Sequence, residues 1–209
     1  KHQKFQADAA KAVVDVFAGQ QYLTPTYMID KGDLKNKGYE FAADLDSDKD
    51  FTGWANQKLI PALTDDMILE RIRKIQRDNQ IKPSDKLEGR YNLTIEMETG
   101  VGKTYTYIKT MYELNKAYGW SKFIVVVPSI AIREGVRKSF ETMQDHFMEH
   151  YHKKARFFVY DSKNLAEIDN FSQSADINVM IINIQAFNAR GKDARRIRMY
   201  SAAESRSTS

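Results

Sequence analysis

Residues Met97-Glu98-Thr99-Gly100-Val101-Gly102-Lys103-Thr104 constrain this chain more than any other stretch, because they sit between two different hydrophobic periodicities. Upstream, Leu93, Ile95 and Met97 alternate as a strand does. Downstream, the spacing predicts a helix from Tyr105 to about Tyr118, with Gly119 placed to end it. Strand, Gly-rich turn, Lys-Thr and helix in that order read as a phosphate-binding loop. Gly100 and Gly102 let the backbone curl so that successive N–H groups point at phosphate oxygens, beside the positive end of the helix. Lys103 is then placed to reach the β- and γ-phosphates, and the Thr104 hydroxyl to ligate Mg²⁺. Thr99, Gly100, Val101, Gly102, Lys103 and Thr104 are therefore the expected nucleotide-binding residues, with Lys103 the expected catalytic one. The general motif also wants a glycine five residues before Gly102, and this chain has Met97 there.

Composition narrows the setting. A chain of 209 residues, 42% of them hydrophobic, can bury a full core as one domain. No apolar run approaches the length of a membrane span, and no charged-then-apolar leader opens the sequence. Zero cysteines exclude a disulfide framework and cysteine-based metal sites. A cytoplasmic protein with no membrane partner fits these facts. The first residue is Lys1 rather than Met, which suits an excerpt of a longer chain. Net charge is +4, compatible with nucleic-acid binding but not a demonstration of it. The basic residues Arg190, Lys192, Arg195, Arg196 and Arg198 gather late, with Asp193 alone against them. A solvated segment and a phosphate-backbone contact both suit that cluster.

Periodicity organises the rest. Ala9, Ala10, Val13, Val14 and Phe17 share one face of a helix predicted over 6–17. Residues 24–63 mix Gly, Asp and Lys with scattered aromatics and read as an irregular insertion; its stretch from Thr24 to about Phe51 is a surface excursion, a hairpin among the options. Thr64 is placed to cap a helix from Asp65 to about Asn79, with Ile68, Ile72 and Ile75 as its core stripe. Lys122–Val127 is a continuous apolar run of the type buried on both faces, closed by Pro128-Ser129. A helix follows from Ala131 to about His150, then a short strand over 157–160 and a third apolar run over 177–184. Strands alternating with helices predict an α/β fold with a mostly parallel sheet covered on both faces. Residues 201–209 are small and polar and read as a frayed tail.

With these segments in hand, the chain resembles one family. Phe5-Gln6 is similar to the adenine-reading glutamine motif of superfamily 2 helicases, and Thr99-Gly100-Val101-Gly102-Lys103-Thr104 to their motif I. Val125-Val126-Val127-Pro128-Ser129-Ile130-Ala131-Ile132-Arg133-Glu134-Gly135-Val136 resembles motif Ia as carried by restriction subunits of type III restriction–modification enzymes. Tyr160-Asp161-Ser162-Lys163-Asn164-Leu165 and Ile181-Ile182-Asn183-Ile184-Gln185-Ala186-Phe187-Asn188 resemble the same family. The resemblance runs from about residue 3 to about residue 190, while Thr24–Leu63 matches no pattern. It implies a RecA-like first motor domain over residues 1–200 that binds Mg-ATP. It further implies that the intact protein couples ATP hydrolysis to movement on double-stranded DNA and to DNA cleavage, with a modification (methyltransferase) subunit as partner.

The physical roles agree with that implication. An amide such as Gln6 can donate to and accept from an adenine edge at once. Pro128 and Ser129 follow a strand at the edge where parallel sheets bind ligands, where Arg133 could hold a nucleic-acid backbone. Asn183 and Gln185 occupy the corresponding place after the third run. Solvated or locally satisfied turn residues are the plainer alternative for all five.

Two other signals compete. His146-Phe147-Met148-Glu149-His150 spells H-x-x-E-H, a zinc-peptidase pattern, but no third ligand is evident and an exposed helix tail accounts for it. Asp161 follows a strand as a magnesium-holding Asp would, yet Ser162 stands where a helicase has Glu. The resemblance puts the Asp-Glu pair beyond residue 200, and hydrolysis needs both carboxylates, so these residues alone are expected to bind Mg-ATP weakly and turn it over negligibly. Another superfamily 2 motor, such as a type I restriction motor, a loop-bearing small-molecule kinase and a non-catalytic nucleotide module remain as rival readings. A nuclease motif further along the protein separates the first, and phosphorylation of a metabolite would favour the second.

Overall fold

Alternation over residues 178–183 decides the architecture, because successive strand residues can face only two layers. A computed structural model describes residues 3–30, 51–89, 91–161 and 166–188. In chain order its elements are α1 (Lys4–Val16), β1 (Thr26–Asp30), β2 (Phe51–Ala55), α2 (Asp65–Asp78), α3 (Lys103–Tyr118), β3 (Lys122–Val127), α4 (Ile130–Tyr151), β4 (Arg156–Val159), α5 (Ala166–Gln173), β5 (Asn178–Asn183) and α6 (Ile184–Asn188). The central layer is a three-stranded parallel sheet in the order β3-β5-β4. Every residue of β5 is buried. Val179 and Ile181 face a cluster with Ile108 and Tyr112 of α3 and Val136, Phe140 and Phe147 of α4. Met180 and Ile182 face the other way, onto Phe171 of α5 and Tyr160. Helices thus cover both faces, the α/β arrangement the alternating elements call for.

A third cluster joins α1, α2 and α3 through Val16, Phe17, Leu63, Ile68 and Tyr118. Ile68 is fully buried there and Ile72 and Ile75 pack beside it, as the predicted stripe requires. Thr64 Oγ1 accepts from the Met67 N–H at 3.4 Å, the expected cap. At the other junction, Gly119 ends α3 with φ 80, and its N–H returns to the Asn115 carbonyl. A side chain could not follow there, since a Cβ would meet the Leu23 carbonyl oxygen at 2.1 Å.

Residues 26–30 and 51–55 pair antiparallel, Thr26 opposite Ala55 and Asp30 opposite Phe51, so the arms of the insertion form a hairpin. Gly53 lies against Ser172 of α5, where a Cβ would stand 2.8 Å from the Ser172 Cβ. Past the hairpin, Asn56 takes over a structural duty. Its Oδ1 accepts from the N–H groups of Ser121 and Lys122, and its Nδ2 donates to the Lys122 carbonyl at 2.8 Å. That side chain satisfies backbone groups at the start of β3, which a sheet end otherwise leaves open.

Two expectations change. Residues 93–97 carry no strand: Leu93 packs into the helical cluster, whereas Ile95 is 46% exposed. An alternating pattern needs a ladder partner as well as a face to bury, and no described strand pairs with this segment. Lys122–Val127, expected to be buried on both faces, is instead a sheet edge among the described residues, with Val126 44% exposed.

Candidate functional site

The turn before α3 adopts the geometry its glycines permit. Gly100 and Gly102 have φ of 83° and 89°, the left-handed region that L side chains rarely enter. Gly102 caps α3, and its carbonyl accepts from the Thr106 N–H at 3.0 Å and the Thr106 hydroxyl at 3.2 Å. Lys103 and Thr104 are therefore the first two helical residues, Lys103 exposed and Thr104 half-buried. N–H groups of a first turn precede any helical carbonyl partner and carry the positive end of the helix dipole.

The two glycines differ in what surrounds them. A Cβ on Gly100 would meet nothing within 4 Å, so that side of the turn is open. One on Gly102 would stand 2.6 Å from Gln6 Nε2. Gln6 is buried on α1, and this amide nitrogen donates to the Val101 carbonyl at 2.8 Å. The first helix thus holds the turn from behind, across 95 positions of sequence. An open crook with a cationic residue beside it and a helix N-terminus behind fits a phosphate group.

A second polar group forms at the C-terminal end of the sheet, where Val127 lies opposite Asn183. Ser129 Oγ accepts from the Ile132 N–H at 3.3 Å and starts α4. Asn183 Nδ2 donates to Gln185 Oε1 at 2.9 Å, and Gln185 Nε2 donates to the Pro128 carbonyl at 3.5 Å. Arg133, in the first turn of α4, donates to Glu134 at 3.3 Å, yet its Nε is buried without a hydrogen-bond partner among the described residues. The Arg137 guanidinium, with Arg133 adding, holds the Glu134 carboxyl below its ordinary range. Pro128, Ser129, Arg133, Asn183 and Gln185 are brought to one edge, as their positions after strands imply.

The turn and this edge are not adjacent. Tyr105 Oη lies 3.2 Å from His146 Nε2, and its ring stacks on Phe147 with centroids 5.2 Å apart. Arg133 and His146 are separated by about 20 Å of helix at ~1.5 Å per residue, so α4 spans the gap between the two groups. A half-buried network fixes α3 against it: Tyr151 Oη donates to Glu113 at 2.7 Å and accepts from Lys109 Nζ at 2.9 Å. Burial, then Glu113, pushes the Tyr151 phenol far above its ordinary range, so it stays protonated. The spacing of Lys109 and Glu113 hinted at an i,i+4 pair, but nothing local pointed to Tyr151.

Of the competing signals, His146 is engaged with Tyr105, and the His146 and His150 rings stack 6.1 Å apart. Among the described residues no group of three or more His, Asp or Glu side chains could hold a metal ion. Asp161 is exposed just past β4. The cluster Arg190, Lys192, Arg195, Arg196 and Arg198, the segment Ser162–Leu165, the acidic run Asp44–Asp50 and the tail 201–209 lie outside the described residues. No described helix is long and apolar enough to cross a membrane.

Comparison with known proteins points one way. Residues 62–204 match the family model described as "Type III restriction enzyme, res subunit". The chain is 31% identical over 140 residues to the type III restriction-modification enzyme EcoPI Res subunit of Escherichia phage P1, covering 60% of this chain. It is 31% identical over 141 residues to the EcoP15I Res subunit of Escherichia coli, covering 61% of this chain. The StyLTI Res subunit of Salmonella typhimurium is 34% identical over 123 residues, 50% of this chain. The matched region spans only 14%, 14% and 12% of those relatives' own lengths.

Proposed function

The chain belongs to the type III restriction enzyme Res subunit family, and from that premise we propose that it is the ATP-binding part of a DNA-translocating motor. Residues 1–200 are on this reading the first RecA-like motor domain, and hydrolysis is coupled to cleavage of double-stranded DNA in the intact protein, with a modification subunit as partner. The observation that carries the reading is the crook at Gly100 and Gly102, open on one side and followed by an exposed Lys103 at a helix start.

The residues divide the work by position. Backbone N–H groups from Gly100 to Thr104 hold phosphate oxygens, and Thr99 opens the turn. Lys103 neutralises charge on the β- and γ-phosphates, where it matters most as the terminal bond loosens. Thr104 would supply a hydroxyl oxygen to Mg²⁺, which when bound would neutralise charge on the phosphates. Gln6 keeps Oε1 and its second amide hydrogen for the adenine edge while its first hydrogen braces Val101. At the sheet edge, Ser129, Arg133, Asn183, Gln185 and the backbone at Pro128 are candidates for DNA phosphates. Asn183, Gln185 and Pro128 are bonded to one another, Ser129 to the Ile132 N–H and Arg133 to Glu134, so DNA would exchange with those bonds.

Lys103→Ala in the intact protein tests the reading. ATP hydrolysis and ATP-dependent DNA cleavage should each fall by more than about 100-fold, as when a preorganised charge partner is removed. Cleavage that persists at the parent's level would take Lys103 out of the mechanism.

A further inference from the structure

A hollow of about 330 Å³ opens where α3 and α4 end, at the opposite end of α3 from the glycine turn. Lys103 and Lys116 are separated by about 20 Å of helix at ~1.5 Å per residue, so a ligand there is distinct from one at the crook. Lys116, His150, His152 and Lys153 line the hollow, with buried Tyr112 and Asn115 beneath them. No lining residue is acidic, and neither lysine is ion-paired among the described residues. Glu113, on the same stretch of α3, is engaged by Lys109 at 3.3 Å and by the Tyr151 hydroxyl at 2.7 Å.

Cations at helix C-termini complement the helix dipole, which accounts for Lys116 and His150. It does not account for the turn that follows α4. His152 has φ 53°, a left-handed conformation that glycine adopts without strain and histidine does not. Three bonds fix that turn: the His152 N–H to the Met148 carbonyl at 2.9 Å, Lys153 Nζ to Asn115 Oδ1 at 2.9 Å, and the Ala155 N–H to Tyr112 Oη at 3.1 Å. Lys153 is thereby tied to α3 while its ammonium keeps two further hydrogens for a ligand. Like charges gathered around one concavity repel unless an anion offsets them.

We propose that this hollow is a second anion site and takes a phosphate group, carried by a small molecule or by a nucleic-acid backbone. The Lys116 and Lys153 ammonium groups offset its charge, and the His150 and His152 rings donate N–H bonds from the rim. Lysine binds phosphate as a point charge, so the site needs no arginine fork. The proposal stands apart from the reading of the glycine turn.

With only four histidines in the sequence, the imidazole C–H resonances in proton NMR of the 209-residue chain read the site directly, with His150→Gln and His152→Asn to assign them. Titration with inorganic phosphate at constant pH and ionic strength should move the His150 and His152 signals to saturation. It should do so equally in Lys103→Ala, where the glycine turn is impaired. Lys116→Gln combined with Lys153→Gln should raise the phosphate Kd about tenfold, in line with loss of two solvent-exposed charge partners. Should that pair unfold the chain, Lys116→Gln alone, at an exposed position, should raise it about threefold. Displacement of phosphate by a short DNA duplex identifies the source as a nucleic-acid backbone, and indifference to the duplex identifies a small phosphorylated ligand. The same shifts with sodium chloride at equal ionic strength, a response that never saturates, or an unchanged Kd in the lysine variants overturns the site. Loss of the shifts in Lys103→Ala assigns them to the glycine turn and overturns it as well.

Discussion

The glycine turn and the polar edge of the sheet each lead into a helix, yet they are built by opposite means. At the turn, Gly100 and Gly102 hold positive φ and Lys103 projects into solvent. At the edge, the Asn183–Gln185–Pro128 chain and the Ser129 cap engage most of the local polar groups, and Arg133 Nε is buried without a partner among the described residues. The turn relies on backbone conformation and leaves donors for a ligand. The edge relies on side-chain hydrogen bonds and keeps most of its groups occupied. A ligand at the first needs no displacement, whereas one at the second must compete with bonds each worth about 1 kcal/mol net.

The largest expected effect sharpens the contrast within the turn itself. Gly102→Ala forces a side chain into the left-handed region and against Gln6 Nε2, and should cost about 2–4 kcal/mol and remove nucleotide binding. Gly100→Ala carries the backbone strain without the collision and should cost only about 1–2 kcal/mol. Denaturant unfolding and nucleotide titration of both variants would show it, and equal losses would mean that Gln6 does not brace the turn.

A middle-sized effect is expected at the edge. Ser129→Ala removes the cap of α4 and should lower stability by about 1 kcal/mol while leaving nucleotide affinity unchanged, given the helix length that separates the two groups. A marked fall in ATP affinity in that variant would show that the two regions are coupled through α4.

An effect of similar size probes the far end of the edge strand. Burial lowers the Lys122 ammonium from 10.5 to about 8, with Asp176 opposing and Arg156 adding to the shift. The fold then holds fewer protons than the unfolded chain between those values. The penalty is fully present below about 8, and stability rises with pH until about 10.5. Relative to Lys122→Met, the parent should gain about 1 kcal/mol between about pH 7.5 and about pH 9.5, a figure reduced for partial exposure. A flat difference across that window would mean that Lys122 is solvated and that the start of β3 is looser than its bonds to Asn56 suggest.

Local signals carried the helices and the turn far. Gly119 marked the end of α3 because a left-handed cap excludes side chains, and Thr64 marked the start of α2 because its hydroxyl replaces a missing carbonyl partner. Apolar runs named all three strands of the parallel sheet, but not their order. Lys122–Val127 and 177–184 look alike as strings, and only pairing shows that the second is central and the first an edge. Leu93, Ile95 and Met97 alternate correctly and still form no described strand, since periodicity states which residues want burial and not whether a partner is present. The hollow at the ends of α3 and α4 left no local trace, for Asn115 and Lys153 are far apart in the chain.

What the order of residues alone determined is the glycine turn, the helix starts and stops, and the alternation of strand with helix. These depend on φ, on caps and on period, which are properties of neighbours. Tertiary structure decided which strand is buried, that Gln6 reaches the turn, and that the turn and the sheet edge stand on opposite stretches of α4. Those outcomes come from packing and hydrogen bonding between segments distant in sequence, where burial of shared surface, not local preference, selects the arrangement.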